Sequence, residues 1–307
     1  MNKNWTVNEI PDLKGKIIIV TGGNSGLGYE SVKAFASKGA KVILASRSLE
    51  KGEDAKNLIL KEIPEADIIV MSLDLSDLES VRVFASNFRK SYKKLHILLN
   101  NAGIMMTPYF LTKDGNEGQF GTNHLGHFAL TGLLFDILNK TENSRIVNVS
   151  SMAHKQGKMN FSNLQFNDGN GYSPSKAYGR SKLSNLLFTY ELQRKLEASG
   201  STTIALAAHP GVATTNLARH LENKLIFKLI NPIFKCISQD QKMGALPQIR
   251  ASVDQQVKGG QYYGPDGKRE MKGYPVLVES NEVSHNSSDA AILWEVSEKL
   301  TGIKFEF

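Results

Sequence analysis

The stretch that decides the fold is residues 16–28, which read KIIIVTGGNSGLG. The run from Ile17 to Val20 is entirely β-branched, and such a run predicts a strand that is buried on both faces, as in a parallel sheet. A glycine-rich turn then leads into a predicted helix from about Gly26 to Lys38, with Gly39 as its C-cap. Glycines between a strand and a helix let the backbone approach a pyrophosphate, whose charge meets the helix N-terminus. This context favours a dinucleotide site over an ordinary glycine turn.

Outward from this stretch, short β-rich runs alternate with helical stretches along the chain. The alternation implies right-handed parallel crossovers, because each helix returns the chain to the same edge of the sheet. We therefore predict a single doubly wound parallel sheet, a Rossmann fold of the α/β class, with helices on both faces. The further strands are predicted at 41–45, 67–72, 95–99, 144–150 and 203–208, and the further helices at 49–62, 77–93, 118–139 and 175–199.

No linker, low-complexity tract or internal repeat divides the chain, so we predict one domain over residues 1–307. The alternation is interrupted at residues 212–240, where apolar residues with partly helical spacing are mixed with lysines and one arginine. Three interpretations of this segment are open. It is a helical lid over a lipophilic substrate, an amphipathic helix packed on the body of the protein, or a contact with a membrane surface or another subunit.

Composition places the chain among ordinary globular proteins. Its 307 residues are 41% hydrophobic and 22% charged, which excludes collagen-like and wholly disordered chains. The formal net charge is +7, which raises the question of a polyanionic partner. No long block of like charges appears, however, so we expect a solvated basic surface and no nucleic-acid partner.

Two features bear on the compartment. The single cysteine, Cys236, excludes an intrachain disulfide and a multi-cysteine zinc site, and it favours a reducing compartment. Residues 1–16 are polar and resemble neither a signal peptide nor a membrane anchor. The apolar stretch at 225–237 is too short and too interrupted to span a bilayer. We therefore expect a cytoplasmic protein with no integral membrane segment.

The end of the second predicted strand, Ala45-Ser46-Arg47-Ser48, bears on the choice of nucleotide. Enzymes that use NAD usually place an acidic residue there, which binds the ribose hydroxyls. This segment has no acidic residue, and Arg47 can form paired hydrogen bonds with a 2′-phosphate. The sequence therefore favours NADP, with NAD as the alternative.

Tyr178 and Lys182 are four residues apart in a predicted helix, so their side chains are expected one turn apart on one face. A free tyrosine has a pKa near 10, which is too high for efficient acid–base chemistry at neutral pH. We expect the lysine cation to favour the phenolate and to lower that pKa. The spacing alone is common, and most such pairs are surface packing.

Polar residues and glycines also follow the other predicted strands at the point where each strand ends. Ser150 and Ser151 follow the fifth strand, Asn100 to Gly103 follow the fourth, and Pro210 and Gly211 follow the sixth. The carboxyl ends of parallel strands share one edge of the sheet, where open α/β sheets bind ligands. These residues are therefore predicted to meet in one crevice with the glycine-rich turn.

Taken together, the motifs resemble those of the short-chain dehydrogenase/reductase family, of the compact one-domain kind. The resemblance covers about Leu13 to Thr215 and is greatest to the retinol-dehydrogenase-like and WW-domain-oxidoreductase-like branch. Membrane-bound retinol dehydrogenases often carry an N-terminal apolar anchor, which residues 1–16 do not resemble, and a retinoid substrate is less expected for that reason. The segments that carry the likeness are NHLGHF at 123–128, NVSSMAH at 148–154 and SKLSN at 181–185.

The resemblance implies a role for each matching residue. Tyr178 would be the general acid or base, and Lys182 would lower its pKa and hold the nicotinamide ribose. Ser151, with Ser150 as the alternative, would hydrogen-bond the reacting oxygen, and Asn123 would hold a water that links Lys182 to solvent. The cofactor would contact Gly22, Asn24, Ser25, Gly26, Leu27 and Gly28 around the pyrophosphate; Ser46, Arg47, Asp74, Leu75, Asn101, Ala102 and Gly103 along the adenosine half; and Tyr178, Lys182, Pro210, Gly211, Val212 and Thr215 around the nicotinamide.

The reaction implied by the resemblance is hydride transfer between nicotinamide C4 of NADP and a small lipophilic carbonyl or alcohol. No metal is expected, because the histidines show no ligand spacing, and His124 and His127 are expected to pack within a helix. The family's habit of pairing through the helix that carries Tyr178 implies a homodimer or a homotetramer.

Two other functions are weighed against this reaction. A catalytically idle module that binds NADP and reports redox state to a partner has no need of the intact Ser, Tyr, Lys and Asn set. An epimerase or dehydratase on a related fold is disfavoured by the spacing of Gly22, Gly26 and Gly28 and by the short tail after the motifs.

Overall fold

The strands of residues 4–213 and 238–307, the residues described by this computed structural model, form one eight-stranded sheet. In chain order they are β1 (Ile17–Thr21), β2 (Lys41–Ser46), β3 (Ile68–Ser72), β4 (Ile97–Asn100), β5 (Arg145–Val149), β6 (Ile204–Ala208), β7 (Tyr262–Pro265) and β8 (Pro275–Val278). Their order across the sheet is β3-β2-β1-β4-β5-β6-β7-β8, and every neighbouring pair is parallel except β7–β8. The predicted doubly wound Rossmann sheet is confirmed.

Helices connect the strands and cover both faces of the sheet. Helix α2 begins after Ser48, whose side chain accepts a hydrogen bond from the Lys51 amide and so caps the first turn. Asp77 caps α3 in the same way. The helices are α1 (Gly26–Ala36), α2 (Leu49–Glu62), α3 (Leu78–Ser91), α4 (Gly118–Phe120), α5 (Gly126–Leu133), α6 (Phe135–Lys140), α7 (Pro174–Ala198), α8 (Gln241–Val253) and α9 (Ser287–Thr301).

Alternate residues of the central strand β1 belong to opposite layers of the core. Ile18 and Val20 lie in the apolar cluster that also contains residues of α1, α2 and α8. Ile19 lies in the cluster formed with α3, α5 and α7. Because side chains alternate along a strand, a continuous β-branched run is stable here only with helices on both sides. The two layers bring the carboxyl ends of β1, β4 and β5 to one edge.

Helix α7 is buried on all sides over residues 177–190. Its outer face is covered by α9: Leu183 and Leu187 share an apolar cluster with Leu293, and the rings of Phe188 and Trp294 lie 5.8 Å apart. A second copy could reach this stretch of the helix only if α9 moved away. The homodimer or homotetramer expected through this helix stays a prediction.

Several boundaries differ from the sequence predictions. Helix α1 ends earlier than predicted, with Ser37 as its C-cap, so assigning the cap to Gly39 was wrong. Gly39 follows with φ +85°, a conformation that favours glycine. The helix predicted at 118–139 is interrupted by a π-helical turn, Gly121–Leu125.

The sheet also extends beyond the six strands predicted from the sequence. Strands β7 and β8 were missed, and β8 is antiparallel. Both strands contain proline, which argues against a strand in a sequence pattern. Pro265 is the last residue of β7 and Pro275 is the first residue of the edge strand β8, positions at which proline removes little of the hydrogen-bonded ladder.

Two sequence predictions reach outside the described residues. Residues 214–237, most of the predicted lid, lie outside the described ranges, as does Thr215. Ala213 and Gln239, on either side of that gap, form a parallel β-bridge. None of the helices within residues 4–213 and 238–307 combines the length and apolarity needed to cross a bilayer.

Candidate active site

A cleft of about 310 Å³, here called the central cleft, lies where the ends of β1, β2, β4 and β5 meet the start of α1 and the middle of α7. Its size is near the lower end of the range usual for small-molecule sites. Sixteen of the predicted cofactor residues line it: Gly22, Asn24, Ser25, Gly26, Leu27, Gly28, Ser46, Arg47, Asp74, Leu75, Asn101, Ala102, Gly103, Tyr178, Lys182 and Pro210.

The predicted and the observed lining of the cleft differ: some predicted residues do not line it, and some lining residues were not predicted. Gly211 and Val212 follow Pro210 but do not line the cleft, and neither Ser151 nor Asn123 lines it directly. Ser150, the alternative serine, lines it, as does Met105, and the sequence reasoning missed six further lining residues: Ser48, Lys51, Leu73, Ile104, Thr122 and Val149. Most of them adjoin a predicted residue in the chain, so extending each motif by one or two positions would have found them.

The glycine-rich turn between β1 and α1 brings backbone against backbone. A Cβ on Gly28 would lie 2.2 Å from the Gly22 carbonyl oxygen and 2.7 Å from Nδ2 of Asn101. No side chain larger than hydrogen fits there without displacing the turn. Ser25, the N-cap of α1, makes no side-chain capping bond, so it leaves backbone N–H groups of the first turn available. Such a helix N-terminus is suited to an anion.

The turns after β1 and β4 are held together by Thr21. Its hydroxyl oxygen accepts hydrogen bonds from the backbone amides of Asn101 and Ala102, both at 2.9 Å. Nδ2 of Asn101 donates to the Thr21 carbonyl oxygen at 2.8 Å. The floor of the central cleft is thus a small hydrogen-bonded network at the ends of two neighbouring strands.

His127 extends this network across the cleft floor to Asn123. Nδ1 of His127 lies 3.0 Å from the Asn123 carbonyl oxygen, and Nε2 lies 2.9 Å from the Thr21 hydroxyl. Because a carbonyl can only accept, Nδ1 carries the proton and Nε2 accepts from Thr21. Burial lowers the pKa of His127 to about 4, so the ring is neutral at physiological pH. His127 therefore packs within a helix as expected, and it also joins two parts of the site.

Asn123 lies in the π-helical turn, and both ends of its side-chain amide are hydrogen-bonded. Oδ1 accepts from the Ile104 amide at 2.8 Å. Nδ2 donates to the Ile104 carbonyl at 2.9 Å and to Oγ of Ser181 at 3.0 Å. A water at Asn123 would therefore depend on its backbone carbonyl, which has a second lone pair beside the one directed at His127.

Tyr178 and Lys182 project from α7 toward the carboxyl end of β5 and into the central cleft. Burial raises the pKa of Tyr178 to about 12, and a hydrogen bond with the Ser151 side chain offsets part of that rise. This direction is opposite to the lowering that we expected from Lys182, because burial of the phenol outweighs the neighbouring cation. Lys182 donates from Nζ to the Val149 carbonyl at 3.0 Å. Burial lowers the pKa of its ammonium to about 8.

The two serines after β5 have different partners. Ser151 hydrogen-bonds Tyr178 and also accepts from the Ala153 amide at 3.2 Å, which caps the short 3-10 turn Met152–Gln156. The Ser150 hydroxyl donates to the Lys182 carbonyl at 2.8 Å and so ties β5 to α7. Ser151 is thus the serine that contacts the tyrosine.

The end of β2 presents cations to the central cleft. Arg47 is exposed and lines the cleft, and Lys51, one turn into α2, lines it as well. Ser46 is buried, and its hydroxyl donates to the Ser48 carbonyl at 2.9 Å. On the opposite wall, Oδ1 of Asp74 accepts from the amide and hydroxyl of Ser76 at 2.9 and 2.6 Å.

A doubly wound parallel sheet, a glycine turn at the first helix and a buried Ser–Tyr–Lys group at its carboxyl edge define a dinucleotide-binding oxidoreductase. The short chain dehydrogenase family model matches residues 16–225. The chain belongs to that family.

Curated relatives and solved structures are consistent with this assignment. Retinol dehydrogenase 12 of Mus musculus is 41% identical over 297 residues, which is 96% of this chain and 89% of the relative. Retinol dehydrogenase 14 of Homo sapiens is 38% identical over 310 residues, 95% of this chain and 88% of the relative. The crystal structure of an uncharacterised protein from Mycobacterium Paratuberculosis is 40% identical, with a TM-score of 0.83 over 99% of this chain and 100% of that one. The predicted retinol-dehydrogenase-like resemblance is confirmed.

Proposed function

We propose that the protein is an NADP-dependent oxidoreductase that interconverts a carbonyl and an alcohol on a small lipophilic substrate, with Tyr178 as the general acid or base. The observation that carries the proposal is that Tyr178, hydrogen-bonded to Ser151, lines the same cleft as Lys182 and the glycine turn. Bound NADP would accept or supply the hydride at nicotinamide C4. We place the activity in one domain spanning residues 1–307.

The central cleft fits a dinucleotide on two grounds. The absence of a Cβ at Gly28 lets the turn close against the Gly22 carbonyl, and the first turn of α1 offers backbone amides without a side-chain cap for a pyrophosphate. Gly22, Gly26 and Gly28 would surround the pyrophosphate, whereas Asp74 and Asn101 would hold the adenosine half.

The preference for NADP over NAD is supported by the charges at the end of β2. Arg47 and Lys51 both line the cleft there, and no acidic side chain replaces Ser46. A 2′-phosphate placed between two cations would form charge-assisted hydrogen bonds, and the guanidinium could bind it through two parallel N–H groups.

The proton chemistry follows from the buried group on α7. Because the pKa of Tyr178 is about 12, the phenol is protonated at neutral pH and can donate its proton to a carbonyl oxygen during reduction. The Lys182 ammonium, whose pKa is about 8, is the cation that would stabilise the resulting phenolate. Ser151 would orient the reacting oxygen, and alcohol oxidation would use the same groups in reverse.

A lipophilic substrate is supported by two observations. Ile104 and Met105 add apolar surface to the cleft beside Tyr178. The two retinol dehydrogenases compared above carry a lipophilic alcohol in their names, and each matches at least 95% of this chain. We therefore include retinal and retinol among the candidate substrates.

The test is the oxidation of NADPH by the purified protein against a panel of aldehydes, ketones, quinones and retinal, with NADH in parallel. We expect turnover of at least one apolar carbonyl with NADPH strongly preferred. Tight NADPH binding with no turnover across the panel would favour the redox-sensing module instead. Equal rates with NADH would overturn the assignment of NADP.

Replacing Arg47 tests the nucleotide preference directly. We expect Arg47→Ala to raise the Kd for NADPH roughly 10- to 100-fold, because charged hydrogen bonds of this kind contribute about 1.5–3 kcal/mol. The Kd for NADH should change little. Fluorescence titration of both nucleotides measures this, with Lys140→Ala as a control that removes a cation away from the cleft. Equal weakening of both nucleotides by Arg47→Ala would remove Arg47 from 2′-phosphate recognition.

A further inference from the structure

Glu270 lies outside every sequence motif, yet its carboxylate contacts two loops of the active site. Oε1 lies 3.2 Å from Nζ of Lys155, and Oε2 lies 3.0 Å from Nε2 of His209. Lys155 follows Ser151 by four residues, in the loop after β5. His209 directly precedes Pro210, which lines the central cleft after β6. One side chain thus spans the loop of the reacting serine and the loop predicted to face the nicotinamide.

The backbone that carries Glu270 is strained. Arg269 and Glu270 have φ of +54° and +57°, the left-handed region that non-glycine residues rarely adopt. Such residues cost about 1–3 kcal/mol each and persist only when their surroundings fix them. Two in succession, in the turn between β7 and β8, indicate that the position of the Glu270 side chain is strongly determined.

The same turn is packed against the backbone that follows Pro210. The Val212 amide donates to the Met271 carbonyl at 2.7 Å. Gly211 has φ +65°, and a Cβ there would lie 2.4 Å from the same carbonyl oxygen. Gln239 donates to the Pro210 carbonyl at 2.8 Å and accepts from the Gly273 amide at 2.9 Å. The turn at 266–273 and the loop after β6 therefore form one packed unit.

Within this unit, the Glu270 carboxylate contacts both the His209 imidazole and the Lys155 ammonium. His209 is fully buried, and its Nδ1 accepts from the Gly211 amide at 3.2 Å, so Nε2 carries the proton that faces the carboxylate. The contact with His209, and then that with Lys155, lowers the pKa of Glu270 to about 2. Burial lowers the pKa of His209, so the imidazole is a neutral neighbour of the carboxylate and Lys155 supplies the opposite charge.

We propose that Glu270 is a positioning residue of the active site: through Lys155 and His209 it fixes the Ser151 loop relative to the Pro210–Val212 loop. It touches no reacting atom. Its effect on catalysis, which depends on the proposed function, is to keep the serine and tyrosine aligned with the nicotinamide end of the cleft. Its effect on the two loops does not depend on that function.

The test compares Glu270→Gln, which keeps the shape and removes the charge, with Glu279→Gln, which removes an exposed carboxylate beyond β8. We expect Glu270→Gln to lower kcat roughly 10- to 100-fold, since small misplacements of reacting groups have effects of this size. The Kd for NADPH should stay within about twofold, because the glycine turn and the end of β2 are not in contact with Glu270. Glu279→Gln should match the parent protein.

Hydrogen exchange supplies a readout that does not require turnover. Peptides covering 150–158 and 208–213 should exchange faster in Glu270→Gln, whereas the peptide covering 21–28 should be unchanged. Lys155→Met, which removes the more exposed of the two contacts, should give a weaker form of the same pattern, and it serves as the test if Glu270→Gln fails to fold. Adding the two substitutions together should give less than the sum of their effects.

The outcomes separate the two proposals. If the parent protein turns over no carbonyl, the proposed function fails while the exchange data still decide the role of Glu270. Unchanged exchange in the two loops, or unchanged kcat in an active enzyme, would overturn the positioning role. Equal losses in kcat and in NADPH affinity would also overturn it, because they would indicate a general loss of structure.

Discussion

Under the proposed function, the glycine-turn end of the central cleft is its nucleotide half and the Tyr178 end is its substrate half, and the loops around the two halves are held together by different kinds of contact. In the nucleotide half, the turns after β1 and β4 meet through backbone amides and the Thr21 hydroxyl, and glycine is required where Gly28 touches Gly22. In the substrate half, charged side chains join the loops, as in Lys155 to Glu270 across 115 residues of chain. Replacing one side chain can therefore remove a contact between the substrate-half loops, whereas the backbone contacts of the nucleotide half change only when the turn itself moves.

The largest expected effect is a loss of turnover, in the substrate half, that leaves NADPH affinity in the nucleotide half unchanged. Tyr178→Phe should lower turnover by roughly 10²- to 10⁴-fold, the contribution typical of a general acid, because the proton donor is removed. NADPH affinity should be nearly unchanged, since the phenol is a single contact in a long site. Steady-state kinetics and a nucleotide titration measure the two quantities. Turnover at the parent rate would remove Tyr178 from the mechanism.

A substitution in the nucleotide half should instead weaken NADPH binding. Gly28→Ala places a methyl group against the Gly22 carbonyl, so the turn must move and NADPH binding should weaken by about 100-fold, or about 2.7 kcal/mol. The control is Gly115→Ala: Gly115 has φ +77° but open space around its Cβ position, so it should lower stability without changing NADPH affinity. Similar Kd values for NADPH in the two variants would contradict the close-approach explanation.

The smallest expected effect concerns His127, which joins Thr21 in the nucleotide half to Asn123. Its pKa is about 4 in the folded protein and near 6.5 when unfolded, so between these values the unfolded chain binds one more proton. The free energy of unfolding should therefore fall with decreasing pH, by up to about 1.4 kcal/mol per pH unit from this residue. His127→Asn should make that dependence shallower.

Urea unfolding of both proteins from neutral pH down to about pH 5 measures this difference. Some dependence should remain in His127→Asn, because burial also lowers the pKa of His124 to about 3 and of His154 to about 4. Identical slopes in the parent and the variant would show that the pKa of His127 is the same in the folded and unfolded states, so that burial does not lower it.

Much of the fold could be predicted because its signals are local. The β-branched run predicted β1 to within one residue, and the helix predicted at 49–62 has the same bounds as α2. The π-helical turn at Gly121–Leu125 has no comparable local signal. Strands β7 and β8 are short and contain prolines, and only the pairing of β7 with β6 and with the edge strand β8 makes them strands.

In the candidate site, too, some features could be predicted from local sequence signals and others could not. The glycine turn and the strand-end residues were predicted, because a parallel sheet brings all carboxyl ends to one edge. The direction of the Tyr178 pKa was not, because a four-residue spacing carries no information on how deeply the phenol is buried. The pairing of Glu270 with His209 was also missed, since no motif connects two residues so far apart in sequence.

The sealing of α7 by α9 has a consequence for synthesis of the chain. Tyr178 and Lys182 leave the ribosome more than a hundred residues before the helix that covers their outer neighbours Leu183 and Leu187. Until residues 287–301 emerge, that apolar face is available to chaperones or to other nascent chains, which is where large α/β proteins are prone to aggregate. Expression of this protein should therefore depend on how soon residues 287–301 follow α7 during translation, as well as on the stability of its finished sheet.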